Sequence, residues 1–107
     1  MAVATPDLLP DIDSDTRTDR QPPYAVILHN DDFNNFDFVV NVLRKVFSYP
    51  IEKCVDLTKE ADETGRSIVW TGALELAELK ADQIHSCGAD PRAKNASALG
   101  VTVEPLV

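Results

Sequence analysis

The chain reads as an α+β domain of order β-α-α-β-α-β, a small three-stranded antiparallel sheet covered on one face by three helices. Three observations predict it. Short segments at 24–29, 68–71 and 99–104 carry the apolar, β-branched or strictly alternating composition of strands. Longer segments between them repeat apolar residues at helical spacing. With 107 residues in all there is room for one domain, and a chain of about that size buries only roughly 60 to 65% of its unfolded surface in a single core. Helices layered on one sheet satisfy all three.

Residues 1–23 carry Pro6, Pro10, Pro22 and Pro23, five Asp and few large apolar side chains, too little apolar surface to offset the entropy of ordering. A flexible extension is expected there, with the folded domain at 24–107. Tyr24 to His29 is short and mostly apolar, bounded by Pro23 and by the polar run His29-Asn30-Asp31-Asp32-Phe33-Asn34-Asn35, which fits a buried first strand. Phe36, Val39, Val40, Leu43, Val46 and Phe47 then form one apolar helical face, with Asn34 or Asn35 as N-cap and Asp37 in the first turn. Pro50 disfavours a helical residue before it yet suits the first turn of a new helix. A second helix therefore starts there, with Ile51, Cys54, Val55, Thr58 and Ala61 as its stripe and Gly65 as its left-handed stop. Ile68 to Thr71 is the second strand. Leu74, Ala77, Ala81 and Ile84 mark a third helix stopped near Gly88, a loop runs to Ala98, and Leu99, Val101 and Val103 alternate as a last strand before Pro105.

Composition narrows the function. Ten Lys and Arg against 18 Asp and Glu give a net charge of -8 and a pI near 4.5, which opposes phosphate backbones and anionic lipid. Neither nucleic acid nor a membrane is an expected partner. The N-terminal segment has no basic n-region and no long apolar run, so a cytoplasmic location is expected. Cys54 and Cys87 fall in different helical patterns and read as reduced, small apolar side chains. His29, Asp31, Asp32 and His85 have no recognised metal-ligand spacing, and the acid-rich loop lacks the Gly and terminal Glu of a calcium loop. No metal, no cofactor and no catalytic machinery are assigned, and a monomer is expected. The polar run after the first strand, where acceptors sit on a fixed frame, is the candidate functional site.

Pro22, Pro23 and Tyr24 leading into Val26-Ile27-Leu28-His29-Asn30-Asp31-Asp32-Phe33, followed by Phe38-Val39 and Val42-Leu43, resemble the ClpS family of adaptor proteins. Phe47-Ser48-Tyr49, Gly65-Arg66-Ser67-Ile68 and Glu75-Leu76-Ala77-Glu78-Leu79-Lys80 extend the resemblance without a gap to about residue 80, and 99–104 is similar to the family's last strand. The Asn-Asp-Asp after an apolar strand is its most specific part. The resemblance implies a non-enzymatic adaptor that binds the destabilising N-terminal residue of a protein, usually Leu, Phe, Tyr or Trp, and delivers that protein to a Clp ATPase unfoldase. A free α-ammonium has three donors and is costly to desolvate without acceptors, preferably a carboxylate. The family supplies an Asn and the following Asp, which map to Asn30 and Asp31, and a His three residues before the Gly that ends the second helix. Here that position is Asp62.

By the same resemblance Leu28, Asn34, Phe36, Val39, Thr58 and Ala61 line the pocket for the substrate's first side chain. Leu28 and Val39 follow the family pattern. Asn34 stands where Thr is usual, Phe36 where Met or Ile is usual, and Thr58 and Ala61 where large apolar residues are usual, so the pocket is reshaped, narrowed or closed. Glu75 and Lys80 match charged positions turned toward the unfoldase's N-terminal domain, and the N-terminal extension is either, by the same resemblance, the segment that engages its pore or only a solubilising leader. Each reading has a plainer counterpart. Asn30 and Asp31 can serve only as turn and cap residues, Asp62 as a solvated acid beside Glu60 and Glu63, Phe36 as a core residue, and Glu75 and Lys80 as ordinary surface charges. Two other functions are weighed: a ClpS-like regulator that binds the unfoldase without recognising N-terminal residues, and a metal-assisted hydrolase on the acid-rich loop.

Overall fold

The computed structural model describes residues 22–92 and 97–106. Six elements follow in the order β1 (Tyr24–His29), α1 (Phe36–Phe47), α2 (Ile51–Thr64), β2 (Arg66–Gly72), α3 (Leu74–Ser86) and β3 (Val101–Pro105). The extension expected at 1–23 lies almost wholly outside the described residues.

The most apolar strand takes the centre of the sheet, whose order is β2-β1-β3 with both neighbours antiparallel to β1. Ala25, Val26, Ile27 and Leu28 are all buried, the alternate pair Val26 and Leu28 on the face that carries the core. Val26 and Leu28 join Val39, Val40, Val42 and Leu43 of α1, Cys54 and Ala61 of α2, and Ala77, Ala81 and Ile84 of α3 in one core. Helices α2 and α3 lie on the sheet, while α1 packs across α2 and α3. The edge strands are tied to each other across β1 by Arg66 and Glu104, 3.1 Å apart.

Both expected helix junctions form. Asn35 caps α1 by accepting from the Asp37 N–H, and Ser48 ends the helix at φ 59° with its N–H on the Arg44 carbonyl. Pro50 precedes α2, and Gly65 ends it at φ 98°, a left-handed conformation that a Cβ disfavours. Between the two helices the Tyr49 hydroxyl donates to the Val69 carbonyl at 2.8 Å, and its ring stacks on Phe47 at 5.1 Å. The α1–α2 turn is thereby fastened to β2.

β1 has its expected limits, whereas β2 and β3 differ from the sequence expectation at their ends. β2 starts at Arg66 rather than Ile68 and runs to Gly72, because β1 offers partners over its whole length, from His29 opposite Arg66 to Tyr24 opposite Gly72. The Trp70 indole covers Gly72 closely enough that a Cβ there would push the ring aside. β3 starts at Val101, so Leu99 is a buried loop residue and not a strand residue. Pro105 is the last residue of β3, at an edge position where a missing N–H is tolerated.

Candidate functional site

The polar run follows the central strand, and two backbone bonds extend the pairing of β1 into it. His29 N–H donates to the Gly100 carbonyl and Asn30 N–H to the Gly65 carbonyl, both at 2.9 Å. The second bond seats Asn30 against the end of α2, three residues from Asp62. The chain then turns on Asp31. Its Oδ1 accepts from the Phe33 N–H at 2.7 Å and the Asn34 N–H at 3.0 Å, and its Oδ2 accepts from the Asn34 side-chain amide. Partial burial pushes the Asp31 carboxyl up, but these hydrogen bonds outweigh it and hold the group below its ordinary value. Asp31 is therefore a turn residue and an ionised acceptor at once.

A cavity of about 60 Å³ opens at this junction, several times what one water needs (about 10–15 Å³). Its polar wall is made by His29, Asn30, Asp31, Asn34, Thr58 and Asp62, and its apolar wall by Leu28, Phe36, Val39 and Leu99. Asn30, Asp31 and Asp62, singled out as α-ammonium acceptors, thus face one space from the turn after β1 and from α2. Leu28 and Leu99 are at most 2% exposed, whereas Phe36 is 40% exposed. The Thr58 hydroxyl donates to the Cys54 carbonyl at 2.7 Å, so it is satisfied without a ligand.

Ala61 departs from its expected place. It is buried in the core cluster and is not a wall of the cavity. Thr58 and Asp62, four residues apart, share the helix face toward the cavity, and Ala61 is turned away from it into the core. Asn34 lines the cavity but spends its side chain on Asp31, Ser97 and Asp90. Asp90 and Leu99 were not legible as site residues, whereas His29, whose Nε2 is 2.7 Å from the Thr102 hydroxyl, was legible only as the first residue of the polar run. Nothing in the local pattern marks Asp90 or Leu99, because these two residues reach the site only through the tertiary fold.

Glu75 is exposed in the first turn of α3, and the Lys80 ammonium lies 5.7 Å from the centre of the Phe47 ring. Leu76 and Leu79 between them are 51% and 48% exposed. Burial pushes the Cys54 thiol up, the opposite of what a reactive thiolate needs. Among the described residues no three His, Cys, Asp or Glu side chains are grouped to hold a metal, and no helix is long and apolar enough to cross a membrane.

The family model described as ATP-dependent Clp protease adaptor protein ClpS matches residues 19–95. The chain belongs to the ClpS family. Among ClpS relatives, the ATP-dependent Clp protease adapter protein ClpS of Vibrio atlanticus is 40% identical over 70 residues, which are 64% of this chain and 66% of the relative. The ClpS of Erwinia tasmaniensis is 38% identical over 80 residues, 73% of this chain and 76% of the relative. Among solved structures, Agrobacterium tumefaciens ClpS2 bound to L-phenylalaninamide superposes with a TM-score of 0.72 at 29% identity, covering 81% of this chain and 100% of that one. The ClpS relatives carry the name of adaptors, and the ClpS fold, a three-stranded antiparallel sheet with three helices, is the one the sequence predicted.

Proposed function

We infer that this protein is an adaptor that binds the N-terminal residue of protein substrates and delivers them to a Clp ATPase unfoldase, catalysing no reaction itself. The observation that carries this is the cavity at the β1–α1 junction, which joins three acceptors, Asn30, Asp31 and Asp62, to a buried apolar wall of Leu28, Val39 and Leu99. An α-ammonium brings donors to the first set, and an apolar first side chain brings surface to the second. The A. tumefaciens relative bound to L-phenylalaninamide presents the same pairing of a free amine with an aromatic side chain. Asp31, held ionised by its turn, supplies the charge. Asp62 adds a second carboxylate where the family pattern has a neutral or cationic His.

Docking on the unfoldase's N-terminal domain falls to α3, where Glu75 and Lys80 flank exposed Leu76 and Leu79. That surface and the cavity are built from different elements, so substrate and unfoldase are held by separate parts of one small domain.

Calorimetry with L-phenylalaninamide and with its N-acetylated form tests the reading. Binding of the free amine and loss of at least about tenfold in affinity on acetylation are expected, the cost of removing a charge-assisted contact. Equal heats, or none with either compound, would overturn substrate binding. A regulator that docks on the unfoldase without taking N-terminal residues is favoured by one observation, the bulky Phe36 at the rim of a cavity of only about 60 Å³. It is the outcome if the amine gives no heat while the unfoldase N-domain binds.

A further inference from the structure

Asp90 is a carboxylate with 1% of its side chain exposed, and the binding reaction described above makes no use of it. Its Oδ2 accepts from the Asn35 N–H at 3.3 Å, and its Oδ1 accepts from the Arg92 N–H at 2.9 Å and from Arg92 Nε at 3.4 Å. The Asp90 N–H in turn donates to Asn34 Oδ1 at 2.7 Å. Asn34 is itself 7% exposed, and its Nδ2 donates both to the Ser97 carbonyl at 2.9 Å and to Asp31 Oδ2. Both amide hydrogens and one acceptor position are used, so the orientation of the amide is determined: flipping it would set its oxygen against a carbonyl and a carboxylate.

We propose that Asn34, seated by the Asp90 turn, is a positioning residue of the α-ammonium site, fixing the plane of the Asp31 carboxylate through its second oxygen. This rests on the N-terminal-residue reading given above. Asp31 Oδ1 is anchored by two backbone N–H groups, but those alone leave Oδ2 without a partner in the protein. The Asn34 amide supplies it, leaving the remaining lone pair in a set direction before any ligand arrives, which lowers the cost of ordering the site on binding. A buried amide with three partners, two of them more than 50 residues away between α3 and β3, is more than a cap requires. The Asn35 side chain already accepts from the Asp37 N–H as N-cap of α1.

The proposal is tested by calorimetry on the full chain with L-phenylalaninamide and its N-acetylated form, from pH 7 downward. Asn34→Ala is expected to weaken the free amine by about tenfold, the size of one charge-assisted hydrogen bond, and to move the acid limit of binding to higher pH, because Asp31 loses a donor that stabilises its charge. The other titratable and charged groups at the site are His29 from β1, Asp32 in the turn, Asp62 from α2, and Asp90 with Arg92 behind Asn34. All remain in the variant. Asn34→Thr, whose hydroxyl can donate to Asp31 but not bridge to Ser97 and Asp90, is expected to recover part of the affinity and of the acid limit. A purely structural role would not move that limit.

If the wild-type protein discriminates the two compounds while both variants keep its affinity and acid limit, the proposal is overturned and substrate recognition stands. If the wild type does not discriminate, both fall. Where a variant fails to fold, nuclear magnetic resonance of the wild type decides. The Asn34 side-chain amide signals are expected to shift with the free amine and not with the acetylated form, and signals unmoved by a bound free amine would overturn the proposal.

Discussion

Asp31 and Asp90 are the two carboxylates that the fold draws in. Hydrogen bonds from Asn34 and Phe33 hold Asp31 below its ordinary value against the opposing effect of burial. The Arg92 N–H, ahead of the Arg92 side chain and the Asn35 N–H, does the same for Asp90. A lowered folded value means that each group stabilises the protein above its unfolded value, about pH 4, and that this contribution is lost as the pH falls through the lowered value. Thermal melts of the wild type and of Asp90→Asn between pH 7 and about pH 3 check the sign. The variant is expected to start less stable and to lose less on acidification, and parallel curves would show that Asp90 is not the responsible acid. Asp62 belongs to the same scale but sits at the exposed rim, where its attraction is screened. Asp62→Asn is therefore expected to weaken L-phenylalaninamide by only about threefold and to flatten the salt dependence of binding measured by calorimetry.

At the scale of elements, the site depends on where α2 stops. Gly65 ends that helix at φ 98° and accepts the Asn30 N–H through its carbonyl, so one residue fixes both the helix end and the seat of the polar loop after β1. Gly65→Ala is expected to cost about 1–2 kcal/mol, lowering the melting temperature by roughly 4–8 °C per kcal/mol for a domain of this size. It should also weaken L-phenylalaninamide, because the Asn30 seat moves with it. Tyr49→Phe removes the hydroxyl that donates to Val69 across the α1–α2 turn. It is expected to lower stability by about 1 kcal/mol without altering ligand affinity, since Tyr49 is not a wall of the cavity. Helix α1 was legible at 36–47, with its N-cap left between Asn34 and Asn35, and α2 to within a residue of its start, because their limits are local: an Asn N-cap, a Pro start and a left-handed Gly. The limits of β2 and β3 were not, because they are set by partners far away in sequence, as Arg66 opposite His29 and Leu28 opposite Val101 show.

In the whole molecule, the cavity is built at the β1–α1 junction and the exposed apolar stretch lies on α3, so the two activities proposed here are separable by substitution. Leu79→Asp is expected to weaken binding to a Clp unfoldase N-domain by tenfold or more, about the loss of one buried apolar anchor, while leaving L-phenylalaninamide affinity unchanged by calorimetry. Loss of both would mean that the substitution unfolds the domain or that the sites are not separate. The sequence by itself determined the order of the elements, the buried character of β1, and the identity of Asn30 and Asp31 as a turn rich in acceptors, since each follows from patterns within a few residues. Only the tertiary structure decided that Asp62 faces those acceptors while Ala61 does not, a difference of one helical position. It likewise decided that Leu99 floors the cavity and that Asp90 and Ser97, more than 50 residues away along the chain, seat the side chain of Asn34. Those contacts are made by packing, and no local pattern along the chain encodes which distant loop will supply a hydrogen bond to a buried amide.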